Sequence, residues 1–371
     1  MTISKKIKVC ILTTVHPLTD TRIFHKQAKS LARVGYEVTL VVRHHRDEIV
    51  DGIRVVALPN PANRIQRMTK TAWQAYKLAL KNNADIYHFH DPELIPIGLL
   101  LKLHGKRVIY DVHEDVPRQN LSKHYIPTIF RKPLSLMIET LEAFSACRLN
   151  AVITATPFIN ERFLKLGAHA ININNYPRLS EMCFNDIPWE QKEKAFCYIG
   201  VITEIRGAFE MLGAIEKIKC SLLLAGNITS RVEGGLKKMH GWRYVEALGH
   251  VSRTDVQRVM ARSLGGFVLF HPAPNHINAQ PNKLFEYMSA SIPVIASNFL
   301  LWKEIVEGVG CGICVDPLNP EEIARACRQI MANPEEAERM GKNGRRAVKE
   351  KYNWEIESEK LLTLYQRILE S

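Results

Sequence analysis

Short apolar segments of strand length alternate with segments of helical periodicity along the whole chain. The first apolar segment is Ile7 to Thr14, and Thr21 to Val34 then places apolar residues at helical spacing before Gly35. Further strands are predicted at Tyr36 to Val42, Val55 to Leu58, Ile86 to Phe89, Val108 to Asp111, Ala151 to Thr154 and Ile171 to Asn174. Strands that alternate with helices indicate βαβ units, so this part of the chain is predicted to form a doubly wound, mostly parallel sheet.

A polar stretch separates this series from a second one. It runs from Pro177 through Pro188 to the charged residues Glu190 to Lys194, and we interpret residues 177–194 as a linker. Beyond it, strands are predicted at Ala195 to Ile199, Ser221 to Ala225, Gly265 to Phe270 and Ile292 to Ala296, with helices at Ala208 to Ile218, Pro320 to Met331 and Pro334 to Lys349. A length of 371 residues also favours two domains. We therefore predict two Rossmann-like domains, residues 1–176 and 195–352, that face each other across a cleft.

In such domains, ligands bind at the carboxyl ends of the parallel strands. The loops that follow the predicted strands of the first domain are rich in polar side chains: His16, Asp20, Arg22, His88, His90, Asp91, Asp111, His113 and Glu114. The corresponding loops of the second domain contain Arg206, Gly226, Gly249 and the segment from His271 to Glu286. Function is expected in these loops.

Composition limits the possible partners and locations. The chain is 46% hydrophobic and 24% charged and has no run of about 18 apolar residues, so a membrane-spanning helix is not predicted. The first apolar segment lacks the cleavage site of a signal peptide, which predicts a cytoplasmic protein. The formal charge of +12 suits nucleic acid, an anionic membrane or an anionic substrate. Because no nucleic-acid-binding motif accompanies the charge, we do not expect nucleic acid as a partner.

One segment offers two interpretations of the positive charge. Asn63 to Lys81 combines Arg64, Arg67, Lys70, Lys77 and Lys81 with apolar residues that include Trp73. Such a helix can rest on anionic lipid, or it can be a solvated helix that covers a sheet.

The eight cysteines are scattered through the chain. Cys311 and Cys314 have the spacing of a metal or redox pair, but no second pair and no histidine accompany them. We predict that the cysteines are structural thiols.

The segment from Pro281 to Ala296 has the strongest chemical pattern. It predicts a loop, a helix with Pro281 at its first position, and a buried strand. The free amides of Asn282 to Leu284 at the helix start would form a site for a phosphate or diphosphate. Lys283 and Glu286 are three residues apart and share a helix face, which places a cation for phosphate beside a carboxylate for sugar hydroxyls.

Together with Arg22 to Val41, Ile86 to Glu114 and Tyr198 to Ala214, this segment resembles the family-4 retaining glycosyltransferases of the GT-B fold, over nearly the whole chain. The resemblance implies that Glu286, the second glutamate of the family's Glu-x7-Glu motif, binds the donor ribose. The first glutamate is replaced by Asn278, which can still form hydrogen bonds to the sugar. Arg206 matches a basic residue that contacts the donor diphosphate. The usual upstream arginine is replaced by Val201, so Lys283 is expected to supply the second charge.

The resemblance also implies roles in the first domain. His113 matches a histidine near the reacting sugar and acceptor, where it would orient the acceptor or assist with its proton. We predict His113, Glu286 and Arg206 as catalytic residues. The donor is predicted to contact Arg206, Asn278, Asn282, Lys283, Leu284, Glu286, Gly226 and Gly249. The acceptor side is predicted to contain His16, Asp20, Arg22, His90, Asp91 and Glu114. The closing helix, about residues 353–371, is implied to pack back on the first domain.

Ordinary structural roles compete with several of these assignments. Glu286 could form an ion pair with Lys283, and Arg206 could be a surface residue at a helix start. Asp20 and Arg22 could pair at a helix start, with Asp20 or Thr21 as its cap. His88, His90 and Asp91 could suggest a metal, although a turn before a helix explains them as well. No Asp-x-Asp pair follows a strand, so neither a metal nor a cofactor is expected beyond the nucleotide-sugar substrate, with a UDP-sugar expected in preference to a GDP-sugar.

The sequence thus predicts a retaining, metal-independent glycosyltransferase. It would transfer a hexose or N-acetylhexosamine to a lipid-linked or polysaccharide acceptor, at the inner face of the cell membrane, in the assembly of surface polysaccharide or lipopolysaccharide. The +12 charge suggests an anionic acceptor and peripheral membrane association. Two alternatives remain open: a non-hydrolysing nucleotide-sugar epimerase, and a non-catalytic sugar-nucleotide-binding subunit, which the replacements at Asn278 and Val201 would suit.

Overall fold

The chain forms two compact units in a computed structural model that describes residues 6–122, 126–181 and 187–370. The first unit comprises Met1–Asn175 and Trp354–Ser371, and the second comprises Tyr176–Asn353. Residues 177–194, interpreted from the sequence as a linker, are grouped with the second unit. Within that stretch, residues 182–186 lie outside the described residues.

The first unit is built on one eight-stranded sheet with the order β3-β4-β2-β1-β5-β6-β7-β8. Seven strands pair in parallel, and the short β3 pairs antiparallel with β4 at one edge. The strands are β1 (Lys8–Pro17), β2 (Glu37–Arg43), β3 (Glu48–Val50), β4 (Ile53–Leu58), β5 (Ile86–Phe89), β6 (Arg107–Val112), β7 (Ala151–Thr154) and β8 (Ala170–Asn172).

Helices cover both faces of this sheet. In chain order they are α1 (Lys29–Arg33), α2 (Arg64–Gln66), α3 (Ala72–Asn82), α4 (Ile95–Leu103), α5 (Val116–Ser122), α6 (Thr128–Ala146) and α7 (Pro157–Lys165). The π-helical segment Thr21–Ala28 leads into α1, and another, Arg67–Thr71, joins α2 to α3. One hydrophobic core lies under α3, α4, α6 and α7. The core of the other face joins Ile23 and Leu31 to the chain's last helix through Leu361 and Tyr365.

The second unit is built on a six-stranded, entirely parallel sheet with the order β11-β10-β9-β12-β13-β14. Its strands are β9 (Ala195–Ile199), β10 (Ser221–Ala225), β11 (Val245–Gly249), β12 (Gly265–Val268), β13 (Val294–Ser297) and β14 (Gly312–Val315). The helices are α8 (Ala208–Ile218), α9 (Ser230–Lys238), α10 (Arg253–Arg262), α11 (Asn282–Ser289), α12 (Leu300–Val309), α13 (Pro320–Ala332) and α14 (Pro334–Glu350). The last helix of the chain, α15 (Trp354–Glu370), belongs to the first unit.

Two Rossmann-like α/β units with parallel sheets confirm the predicted fold class. Several predicted elements, including β5, β7, β9, β10 and α8, have the predicted bounds because a buried strand or an amphipathic helix has an unambiguous period. Two details differ. The helix predicted to start at Thr21 opens with the π-helical segment, and Pro281 is the cap of α11 while Asn282 is its first residue.

Candidate functional site

In the second unit, the carboxyl ends of β9 and β10 approach each other closely through two glycines. Gly226 follows β10 with a φ of +149°, and a Cβ atom there would lie 2.0 Å from the carbonyl oxygen of Gly200. The amide of Gly200 donates to the carbonyl of Ala225 at 2.8 Å. This approach requires glycine at position 226 and brings the loops after the two strands together. Gly249, the other glycine predicted at this edge, ends β11.

Arg206 and Lys283 converge on the same edge of the sheet. The Lys283 ammonium bonds the Tyr198 hydroxyl at 2.8 Å and lies 4.0 Å above the centre of the Tyr198 ring. The Arg206 guanidinium donates to the Val201 carbonyl at 3.2 Å. Both cations lie over the Phe270 ring, whose centre is 5.6 Å from the Arg206 guanidinium carbon and 5.5 Å from Lys283 Nζ. The partners of the two cations in these contacts are neutral, so an anion bound here would meet two positive charges.

The pKa of Lys283 reflects this crowding. Burial, together with the positive charge of Arg206, lowers the pKa of the Lys283 ammonium from 10.5 to about 7, although Glu286 opposes the shift. A bound diphosphate would favour the protonated ammonium. The site is therefore built so that an anionic ligand relieves the repulsion between its two cations.

Lys283 lies in the first turn of α11, as the sequence predicted. Because the helix begins at Asn282, the amides of Asn282 and Lys283 have no acceptor within the helix. The third predicted amide differs, since Leu284 donates to the carbonyl of its cap, Pro281, at 3.1 Å. The side chain of Leu284 is fully buried and anchors the helix in the core. The phosphate site predicted at this helix start would thus have two free amides and not three.

Glu286, predicted to bind the donor ribose, and Asn278, predicted to contact the donor sugar, lie on either side of this helix start. Glu286 is partly buried one turn into α11, and Asn278 is partly buried in the preceding loop. The indole nitrogen of Trp302 donates to the Ala279 carbonyl at 2.7 Å, which fixes the loop next to Asn278. The Lys283 ammonium bonds Tyr198 on β9, and the nearby Glu286 carboxylate acts to raise the pKa of this ammonium.

In the first unit, the polar residues gather at the ends of β1, β5 and β6, which are neighbours in the sheet. Asp111 and Arg22 form the centre of this group. Arg22 donates to both carboxylate oxygens of Asp111, at 2.9 and 3.1 Å, and to the Ile173 carbonyl at 2.9 Å. Gln27 also donates to Asp111. Burial acts to raise the pKa of Asp111, but Arg22 and the surrounding histidines together outweigh it and hold that pKa well below its usual range.

This ion pair corrects two expectations about the start of the first helix. Arg22 pairs with Asp111 and not with Asp20. Since the Arg22 side chain is only 3% exposed and all of its nitrogens are bonded, it is a structural residue in this unit and is not presented to an acceptor. Asp20 is the helix cap, because its side chain accepts from the amides of Arg22 and Ile23 at 2.9 Å.

His113 lies beside this ion pair and is bonded to His90. The distance from His113 Nε2 to His90 Nδ1 is 2.7 Å, and Asp111 lies 3.7 Å from each ring. Burial lowers the pKa of His113 to about 3 and the pKa of His90 well below its usual value. Both imidazoles are therefore neutral at physiological pH. A neutral, partly exposed His113 is better suited to orient a hydroxyl than to remove its proton.

His16 has the opposite electrostatic character. Its Nδ1 bonds Asp20 at 3.1 Å, and its Nε2 lies 3.6 Å from Asp91. Burial acts to lower the pKa of His16, but the bond to Asp20 and the nearby carboxylates raise it overall. The rings of His16 and His113 have centres 5.0 Å apart. A histidine with a raised pKa thus lies next to one whose lowered pKa keeps it neutral at physiological pH.

Asp91 and Glu114 differ in their exposure to solvent. Asp91 is buried, and its Oδ2 accepts from the amides of Thr14 and Val15 at 2.6 and 3.2 Å, so it holds the last part of β1 in place. Burial raises the pKa of this carboxyl group. Glu114 is exposed and accepts from Gln119. Of the predicted acceptor-side residues, His16 and Glu114 are the ones that reach the surface most clearly.

Sequence reasoning missed three residues that shape these sites. Tyr198, Gln27 and Tyr365 lie within apolar or helical patterns that mark them as core residues. The Tyr198 hydroxyl bonds Lys283 at 2.8 Å, and the Tyr365 hydroxyl bonds His88 at 2.8 Å. The Gln27 amide donates to Asp111. A polar atom at the end of a buried side chain was the signal available, because such atoms are normally hydrogen-bonded.

One group of buried side chains has the spacing of a metal site. Ligand atoms of His88, His90 and Asp111 lie within 4.8 Å of one another. The Asp111 oxygens, however, already accept from Arg22 and Gln27, and the adjacent guanidinium would repel a cation. The group therefore fits a buried ion-pair network better than a metal centre.

Cys311 and Cys314 were the other candidate ligands for a metal. Burial raises the pKa of each thiol to about 12. Metals bind the thiolate form, which these surroundings disfavour.

Across the described residues, no helix is both long enough and apolar enough to span a bilayer.

Two family profiles together match most of the chain. "Glycosyltransferase Family 4" matches residues 21–174, and "Glycosyl transferases group 1" matches residues 181–347. The D-rhamnosyltransferase WbpZ of Pseudomonas aeruginosa is 22% identical over 278 residues, which are 73% of this chain and 70% of that protein. The spore coat protein SA of Bacillus subtilis is 32% identical over 84 residues, and this match spans only 22% of the length of either protein.

Solved structures share the fold at low identity. The sucrose-phosphate synthase of Thermosynechococcus elongatus has a TM-score of 0.78 at 18% identity, and the superposition covers 98% of this chain and 99% of that one. HepE of Anabaena, solved in complex with UDP, has a TM-score of 0.72 at 12% identity, and the superposition covers 98% of this chain and 100% of that one.

Proposed function

Because the chain belongs to the family-4-like glycosyltransferases of the GT-B fold, which use nucleotide sugars, we propose that it transfers a hexose or N-acetylhexosamine with retention of the anomeric configuration. The proposed acceptor is a lipid-linked or polysaccharide glycan, in the assembly of surface polysaccharide or lipopolysaccharide at the inner face of the cell membrane. The relative named as a D-rhamnosyltransferase supports a donor with a six-carbon sugar.

The pairing of Arg206 and Lys283 is the observation that carries this proposal. When the bond between the anomeric carbon and the donor phosphate breaks, negative charge grows on the departing nucleoside diphosphate. Two cations and the amides of Asn282 and Lys283 would stabilise that charge, and such preorganised groups act most strongly where water is excluded. This chemistry places charge stabilisation on the protein's own groups, so we propose transfer without a metal or a cofactor.

We assign the other groups by position. Glu286 would bind the ribose hydroxyls of the donor, and Asn278 would contact its sugar. Gly226 and Gly249 would allow the nucleotide to approach the ends of β10 and β11. In the first unit, His113 would orient the acceptor hydroxyl, with His16 and Glu114 beside it. A UDP-sugar is the preferred donor, in line with the UDP and UDP-glucose complexes of the structurally similar HepE.

A panel of UDP-, GDP- and other nucleotide sugars, scored by thermal shift and by nucleotide release, tests the proposal. The correct donor should raise the melting temperature and release nucleotide when an acceptor extract is added. Glu286→Ala should abolish the donor-dependent shift. Glu304→Ala, which changes an exposed glutamate on α12 of the same unit, should leave it intact.

The panel also distinguishes the alternatives. An epimerised sugar that forms without nucleotide release would support the nucleotide-sugar epimerase. Nucleotide binding with no release in any membrane extract would support a non-catalytic subunit, which the replacements at Asn278 and Val201 keep as a candidate. An unchanged thermal shift for Glu286→Ala would contradict the donor-site assignment.

A further inference from the structure

Helix α6 of the first unit exposes its apolar side chains and buries polar ones. Its buried residues include Ser135, Glu142 and Ser145. Five large apolar side chains are exposed, with exposed fractions of 76% for Ile129, 60% for Phe130, 65% for Leu136, 61% for Met137 and 50% for Phe144. A helix that only covers a sheet shows the reverse pattern, with its apolar stripe turned toward the core. The outer face of α6 is therefore built to contact something apolar.

The buried polar groups are satisfied, so the reversed pattern is not a packing defect. Ser135 donates to the Pro117 carbonyl at 2.7 Å. Glu142 accepts from Tyr110 at 3.0 Å and from Arg162 at 2.8 Å. These contacts fix the rotation of α6 about its own axis. With that rotation fixed, the exposed apolar side chains of α6 face away from the core, whereas Leu141 and Ala146 pack on it.

The exposed apolar residues form one continuous stripe. Ile129, Pro133, Leu136, Met137 and Phe144 are exposed apolar residues, and their spacing places them, with the exposed Thr140, on one side of the helix. At 1.5 Å per residue, the stripe is roughly 22 Å long. Isolated apolar residues are common on protein surfaces, whereas a contiguous patch marks an interaction site.

The charges around the stripe indicate an anionic partner. Lys132 and Arg148 are exposed at its two ends, and the Arg148 guanidinium lies 3.6 Å from the centre of the Phe144 ring. The two carboxylates of α6 are paired with arginines. Glu139, whose side chain is 34% exposed, pairs with Arg118 at 2.7 Å, and the buried Glu142 pairs with Arg162 at 2.8 Å. Lys132 on α6 and Arg148 just after it are the exposed charges beside the stripe.

A second helical segment on the same face of the sheet has the same character. The stretch from α2 to α3 exposes Ile65, Met68 and Trp73 together with Arg64, Lys70 and Lys77. Residues 61–84 contain no aspartate or glutamate. Both α3 and α6 pack on one hydrophobic core, so their outer surfaces belong to the same side of the first unit.

We propose that the outer face of α6, assisted by the cations of the α2–α3 stretch, is a docking surface for a bilayer of anionic phospholipid. Large apolar side chains would enter the boundary between headgroups and acyl chains, and the cations would be attracted to the negative surface. The inference deepens the proposed function and rests on it for its purpose, which is to hold a glycosyltransferase beside a lipid-linked acceptor. Binding to the bilayer itself requires no catalysis.

Co-sedimentation of the full chain with vesicles tests the surface. The chain should bind vesicles of phosphatidylcholine with 30% phosphatidylglycerol about tenfold or more tightly than vesicles of phosphatidylcholine alone, because each cation near an anionic surface adds about 1 kcal/mol. The double variant Leu136→Glu and Met137→Glu should lose about tenfold or more of this binding, since it puts charge into the apolar boundary. A matched control is Leu300→Glu on α12 of the second unit, whose side chain is 74% exposed and which should bind as the unaltered chain does.

A charge-reversed variant, Lys132→Glu with Arg148→Glu, should weaken binding to the anionic vesicles and remove much of its salt dependence. Equal binding to neutral and anionic vesicles, or unchanged binding of the Leu136→Glu and Met137→Glu variant, would overturn the proposal. A third result would also overturn the proposal: the unaltered chain forms a dimer without lipid, and the Leu136→Glu and Met137→Glu variant is a monomer. The outer face of α6 would then be a contact between two copies of the chain. Nucleotide-induced thermal shifts of the same variants separate this outcome from failure of the proposed function, since donor contacts lie in the second unit.

Discussion

The Lys283 ammonium lies over the Tyr198 ring, and the positive charge of Arg206 acts on it, so the charge of Lys283 is easily altered. With a pKa of about 7, it is about half protonated at neutral pH before any ligand binds. A diphosphate stabilises the protonated form and raises the pKa, so above pH 7 binding must take up a proton. We therefore expect the Kd of UDP-glucose to rise with pH between 7 and 9, by up to about tenfold per pH unit. Calorimetry across this range measures the effect.

Two variants isolate the contribution of this residue. Lys283→Arg keeps a charge at every accessible pH, and binding to this variant should become nearly independent of pH. Lys283→Met should bind weakly at all pH values. Strong pH dependence in either variant would assign the titration to another group.

In the first unit, the neutral state of His113 leads to a prediction about the activity of His113 variants. Since burial lowers its pKa to about 3, it is a poor proton acceptor, and its bond to His90 holds the ring in place. His113→Asn, which retains a hydrogen-bonding side chain, should keep much more of kcat/KM than His113→Ala. The loss in His113→Asn should fall well short of the roughly 10²- to 10⁴-fold effect of removing a general base. A pH–rate limb near neutrality that disappears in both variants would instead identify His113 as the base.

At the scale of elements, one ion pair joins the helical segment after β1 to the middle of the sheet. Arg22 lies in the π-helical segment, Asp111 lies in β6, and both are buried. Arg22→Leu would leave the Asp111 carboxylate buried without its cation, and we expect a loss of roughly 3–5 kcal/mol in the free energy of unfolding of the first unit. Urea denaturation measures this loss.

The double variant Arg22→Leu with Asp111→Asn should recover part of the lost stability, because it removes the unpaired charge. Arg33→Ala, which truncates an exposed arginine at the end of α1, should have little effect. Equal losses for the single and the double variant would show that the arginine acts through packing and not through charge.

This ion pair also shows where sequence reasoning reaches its limit. The strands that position Asp111 and His113 were predictable because buried parallel strands are short apolar runs, and α8 was predictable from its period. The partner of Arg22 was not, because Asp20 is two residues away in sequence whereas Asp111 is 89 residues away and meets it only in the folded sheet. Likewise, the use of the Leu284 amide by the Pro281 carbonyl depends on the local helix geometry, which residue types alone do not determine.

At the scale of the whole molecule, the chain ends by returning to its first unit. Helix α15 begins where the indole of Trp354 donates to Ser30 at 2.9 Å, and Glu357 accepts from the amide of Asn174 at 2.7 Å. Farther along, Arg107 donates to the carbonyl of Leu369 at 3.2 Å. These contacts join residues more than 180 positions apart in sequence, so the first unit is complete only when the end of the chain has folded onto it.

The hydroxyl of Tyr365 tests how strongly this return stabilises the first unit. Tyr365 is fully buried and bonds His88 Nδ1 at 2.8 Å, in the middle of the sheet. Tyr365→Phe keeps the ring but leaves a buried imidazole nitrogen without its partner, so we expect a loss of about 1–3 kcal/mol in the free energy of unfolding. Tyr36→Phe is the matched control, because its ring meets Tyr365 edge-on and it is only partly buried. UDP should still raise the melting temperature of Tyr365→Phe, since the proposed nucleotide contacts belong to the second unit. Equal stability of the two variants would show that packing of the α15 face, and not this hydrogen bond, holds the end of the chain in place.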